Sequence, residues 1–178
     1  MLAGICGLAF GAADQYLGSR IELGIWASSV SGLSAPWLVL PFLAGWTQAR
    51  RSAAMAAGLI AVLAALAGYF TMTVSPVEGV PVARFATAFA ALARSNVLWV
   101  VGGLLTAPIY GLLGRRWRLE RWWTSAALVA GCVCLEPLVR WALGRASPPD
   151  GVWLAEIAAG VGIACSFALA RRRRPARP

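Results

Sequence analysis

Ala53-Ala-Met-Ala-Ala-Gly-Leu-Ile-Ala-Val-Leu-Ala-Ala-Leu-Ala-Gly-Tyr-Phe-Thr-Met-Thr-Val74 contains no charged side chain and follows Arg50-Arg51-Ser52. About 20 predominantly apolar residues in a helix cross the hydrocarbon core of a bilayer, and this run is long enough. Its Ala and Leu content favours a helix over a strand. Five further stretches match it or nearly do: 1–18, 23–49, 97–114, 122–143 and 152–170. The sequence therefore predicts an all-α polytopic membrane bundle of about six transmembrane helices, forming one domain over residues 1–170. A basic cytoplasmic tail follows at 171–178.

Composition supports this class. Of 178 residues, 60% are hydrophobic and 13% charged, against roughly half and a quarter in soluble domains. In water, such a chain would leave apolar surface uncovered. The net charge of +9 comes from sixteen Arg and no Lys against seven acids. The Arg residues cluster between apolar runs, at Arg50-Arg51, Arg115-Arg116-Trp117-Arg118 and Arg171 to Arg174, and not along one amphipathic face. That pattern marks membrane topology, with the bilayer as partner and no nucleic acid. An even number of spans with both termini cytoplasmic puts eleven Arg inside and leaves five outside, Arg20, Arg84, Arg94, Arg140 and Arg145. The positive-inside rule then agrees with the span count and points to a bacterial inner membrane. The apolar start, Met1 to Phe10, lacks the basic region of a signal peptide and is expected to stay as the first helix.

Two segments depart from plain spans. Trp26 to Pro36 is Ser-rich and ends in Pro, so the second span is expected to be broken or re-entrant before Trp37 to Trp46 completes it. Val82 to Arg94 carries Phe85, Phe89 and Leu92 at helical spacing between two Arg, the pattern of an outer interfacial helix. Small residues, Gly7 and Gly11, Ala54 and Gly58, and Gly103, Ala107, Gly111 and Gly114, line helix faces suited to close packing within the monomer.

Ionisable groups at membrane depth are costly and tend to face a partner or a wet cavity. Asp14, Glu136 and Glu156 all fall in the outer half of their spans, Glu136 roughly 20 Å from the inner end at 1.5 Å per residue. Asn96, Trp99, Arg140 and Tyr69 fall at the same level, and Trp37 lies beside them. These eight, Glu136, Arg140, Glu156, Asp14, Asn96, Trp99, Tyr69 and Trp37, are the candidate ligand-binding residues of an outer polar pocket. Simpler roles compete with that reading. Glu136 and Arg140 stand at i,i+4 and can pair with each other. Asp14 can snorkel at a helix end, and Glu156 suits a helix N-terminus. The other seven Trp are placed as aromatic belts, Trp46, Trp117, Trp122 and Trp123 inside and Trp26, Trp141 and Trp153 outside.

Several chemistries lack their residues. There is no His, and Cys6, Cys132, Cys134 and Cys165 sit in apolar runs without zinc spacing, so no metal or cofactor is expected. No phosphate-binding Gly-Lys-Ser/Thr loop, Asp-rich magnesium motif or Gly-x-Ser-x-Gly is present. Catalytic residues are not assigned. One reading is a protein that binds or transports a small amphiphilic ligand, needing an energising partner subunit, oligomerisation or an ion gradient to move it. The alternative is a metal-independent membrane enzyme of acid-catalysed isomerase or cyclase type, acting on a lipid-soluble isoprenoid-like substrate with Glu136 or Asp14 as general acid.

Asp14-Gln-Tyr-Leu-Gly18, Leu33-Ser-Ala-Pro-Trp37, Ala67-Gly-Tyr-Phe70, Ser75-Pro-Val-Glu-Gly79 and Leu135-Glu-Pro137 resemble an uncharacterised family of small bacterial multipass membrane proteins over nearly the whole chain. That family carries no assigned activity. In size, six spans, inward termini and outward pocket, the chain also resembles the substrate-binding membrane subunits of energy-coupling-factor transporters, a likeness of architecture without their substrate motifs.

Overall fold

The computed structural model describes residues 1–144 and 151–172, all helix and connecting turns with no strand among them. The helices are α1 (Leu2–Ser19), α2 (Ile25–Ser31), α3 (Ala35–Trp46), α4 (Arg51–Thr73), α5 (Phe85–Ser95), α6 (Val97–Glu120), α7 (Trp123–Ala142) and α8 (Gly151–Arg172). The connection around Arg145 and most of the basic tail lie outside the described residues. Four helices, α4, α6, α7 and α8, are each long and apolar enough to cross a bilayer alone. The pair α2 and α3, bent by 49° across a short break, makes a fifth candidate crossing. The sixth run, α1, is 18 residues long and is diluted by Asp14-Gln15-Tyr16, so it falls short on apolarity.

The centre of the bundle is a set of close helix crossings, at which glycine lets backbone meet backbone. A Cβ on Gly45 of α3 would collide with the Gly111 carbonyl of α6. One on Gly111 would strike Ala54 of α4, and one on Gly114 the Phe42 carbonyl of α3. Gly7 and Gly11 of α1 press in the same way on Ala61 and Ala65 of α4. Small residues on facing helices allow this approach, and dispersion between the backbones replaces the hydrophobic drive that is missing between lipid-facing surfaces. The small-residue faces read from the sequence thus pack within the chain.

Those contacts also fix helix direction. Gly7 meets Ala61, Gly11 meets Ala65, and Gly68 meets Leu8 and Ala12, so α1 and α4 run parallel. Gly58 meets Ala107 while Gly103 meets Val62, so α4 and α6 run antiparallel. Gly160 of α8 abuts Cys134 and Ala130 of α7. One end of the bundle gathers arginines: Arg115 Nε donates to the Ala49 carbonyl at 2.8 Å, Arg118 donates to Thr47 at 3.4 Å, and Arg115 pairs with Glu120 at 3.3 Å. Phe42, Leu113, Trp117, Ala126 and Val129 form a buried core near it, with Phe167 of α8 against Trp117 at 4.5 Å. At the opposite end Ser19 donates to Glu78 at 2.7 Å, and Arg20 lies 3.9 Å from the same carboxylate. There α5 covers the end of α4 through Phe89, 5.8 Å from Phe70, with Phe85 stacked on Phe89.

Candidate functional site

The break between α2 and α3 organises the polar residues of the bundle. A broken helix leaves carbonyls bare at the end of one piece and amides bare at the start of the next. Here both sets find partners on α7. The backbone amides of Ser34 and Ala35 donate one to each oxygen of Glu136, and the Arg140 guanidinium donates to the Gly32 carbonyl. Glu136 and Arg140 also pair at 3.7 Å across one turn. The acid therefore meets the positive end of α3 and the base the negative end of α2, the arrangement that helix dipoles favour. Pro137, between them, is fully buried, and Pro36 sits in the first turn of α3, where it costs no hydrogen bond.

Two hollows flank this clamp. The first, about 490 Å³, lies among α1, α3, α4 and α6 and takes in Asp14, Trp37, Tyr69, Asn96 and Trp99, so five of the eight candidate residues meet in one place. The Trp37 and Tyr69 rings stand edge to face at 6.1 Å, and Phe10 backs Trp37 at 5.3 Å. Asp14 is partly buried, has Trp37 as its polar neighbour, and has no ion-pair partner among the described residues. Asn96 spends its amide on the Leu92 carbonyl at 2.9 Å, leaving Oδ1 as an acceptor. Trp99 is 66% exposed and forms the open rim. Among the described residues no cationic side chain lines this hollow.

The second hollow, about 470 Å³, lies on the other flank among α2, α3, α7 and α8, and among the described residues holds Glu156 as its one charged residue. Leu33, in the break itself, lines both hollows. Glu136 and Arg140 line neither; they hold the wall between them. The three acids are thus distributed over two hollows and one clamp. Sequence reasoning did not single out Leu33 or Thr106 of the first lining. Thr106 gives its hydroxyl to the Gly102 carbonyl at 2.8 Å, and a side chain of that kind leaves no signal in composition.

Among the described residues no group of His, Cys, Asp and Glu is arranged to hold a metal ion. Compared with known proteins, residues 1–177 match the model of DUF6518, described as a family of unknown function. No curated protein and no solved structure matches the chain.

Proposed function

We propose, from the premise that the chain belongs to DUF6518, a family of unknown function, that it is an integral membrane protein which captures a small cationic amphiphile in the hollow around Asp14. In this reading α1 and the bent α2–α3 pair complete six passes, with the arginine end in the cytoplasm and α5 along the outer interface. One observation carries the ligand class: among the described residues the only charge in a lining of apolar, aromatic and neutral polar side chains is a carboxylate without a counter-ion. A lone acid at membrane depth favours a cation, and the faces of Trp37, Tyr69 and Trp99 add attraction through their ring quadrupoles.

The same geometry favours binding over passage. Below Thr106 the hollow ends at the crossing of α3, α4 and α6, where Gly45, Gly58 and Gly111 bring backbones into contact. A route to the arginine end would have to part that crossing, and this is where a partner subunit would act. The acid-catalysed enzyme reading with Glu136 as the acid gains less support, because both of its oxygens already accept backbone amides.

Tetraphenylphosphonium, a lipophilic cation, tests the proposal in detergent-purified protein through quenching of tryptophan fluorescence. Saturable binding is expected, weakened at least about tenfold in Asp14→Asn, or about 1.4 kcal/mol. Equal affinity in both proteins, or tighter binding of the anion tetraphenylborate, would overturn it.

A further inference from the structure

The second hollow holds a group that the proposed function leaves idle. Glu156 is 6% exposed, no donor group reaches either of its carboxylate oxygens among the described residues, and its nearest polar neighbour is the Glu136 carboxylate, within hydrogen-bonding reach once one of the two acids carries a proton. It lines a cavity walled by Val30, Leu33, Pro36, Val39 and Val133. Among the described residues the charges that reach it come from α7: the Glu136 carboxylate and the Arg140 guanidinium. Both are committed to the break between α2 and α3. Cys134, also on α7, turns its thiol to the Ile157 carbonyl at 3.8 Å. From α2 and α3 only apolar side chains face the acid.

A buried carboxylate without donors, beside a second carboxylate whose cation is engaged elsewhere, has a ready partner only in a proton. We propose that Glu156 is a proton-exchange site, and that its charge state controls the Glu136–Arg140 clamp on the break and through it the wall of the first hollow. With Glu156 protonated, Arg140 has a single acid to serve and stays on Gly32. When the proton leaves, a second carboxylate competes for Arg140, which loosens its hold on Gly32 and shifts Leu33, the residue shared by both hollows. No ligand in the first hollow is required, so failure of tetraphenylphosphonium to bind would leave this proposal standing.

The experiment uses the full chain in detergent with a membrane-soluble carbodiimide, which reacts with protonated buried carboxyls, followed by peptide mapping. Glu156 is expected to carry the label at low pH and to lose it as pH rises. Without ligand, tryptophan fluorescence should move over the same pH interval in wild type and lose that response in Glu156→Gln. Mapping is done on wild type, so a variant that fails to fold does not decide the outcome. Absence of label at Glu156, label that does not vary with pH, or label blocked by sodium at fixed pH would each overturn the proton site. A fluorescence response that survives in folded Glu156→Gln would overturn the coupling.

Discussion

Replacing Glu136 by Gln keeps the size of the side chain but withdraws one of the two acceptors that Ser34 and Ala35 use, and turns an N–H toward an N–H. One backbone donor then loses its acceptor and faces an amide group in place of a carboxylate side chain that is only 9% exposed, which costs about 2 kcal/mol. Arg140 also loses its partner, but its side chain is 30% exposed, so solvent screens that loss. Glu136→Gln is therefore expected to lower unfolding stability in detergent by about 2 kcal/mol, and Arg140→Met by about 1 kcal/mol. In the double variant the losses should be less than additive, because both side chains serve the same break. Additive losses would separate the pair from the break. The sequence shows part of this: i,i+4 spacing brings the two charges together, and Pro36 marks a helix start. The third party, the amides of Ser34 and Ala35, lies about a hundred residues away, and no local pattern announces that a carboxylate will cap another helix. Asp14, by contrast, was legible as an acid out of place, because nothing in its own segment can neutralise it.

At the scale of helices, apolar runs bounded by Arg were enough to place α4, α6, α7 and α8, since length and polarity alone decide whether a helix suits a bilayer. The break at 32–34 was legible in its Ser and Pro content; its 49° bend was not, because the angle depends on the clamp from α7. The parallel pairing of α1 with α4 was legible only as glycines awaiting a partner. Those glycines support a sharper expectation. Gly111 is pressed by α3 on one side and α4 on the other, and the atoms that its Cβ would meet are backbone, which cannot rotate away. Gly131 of α7 has nothing within 4 Å of that position. Gly111→Ala should therefore cost about 3 kcal/mol or more through overpacking. Gly131→Ala should be neutral or stabilising by about 0.5–1 kcal/mol, because Ala is the better helix former. Comparing thermal unfolding of the two variants checks both. Equal stability would mean that the crossing is looser than described.

At the scale of the molecule, topology follows from two independent constraints. Arg50, Arg51, Arg115, Arg116, Arg118 and Arg121 lie at one end, tied together by the contacts of Arg115 with Ala49 and of Arg118 with Thr47. The opposite end carries Glu78 and Arg20, close to charge balance locally. A membrane that retains Arg-rich segments in the cytoplasm is expected to orient the bundle with the first end inward. Helix direction then sets the termini: α1 runs parallel to α4, so Met1 shares the side of Arg51, whichever way the bundle points. Single cysteines in a chain with Cys6, Cys132, Cys134 and Cys165 replaced by Ala can test this in intact cells. Val77→Cys, in the turn after α4 and 54% exposed in the native chain, should react with an impermeant maleimide from outside. Ser52→Cys, in the first turn of α4, should react only after the membrane is opened. A third cysteine at Leu2 should follow Ser52, because the parallel packing of α1 on α4 makes their fates one. Reversed labelling of Val77 and Ser52 would invert the orientation and leave the fold intact, whereas labelling of Leu2 with Val77 would break the α1–α4 pairing on which the first hollow depends.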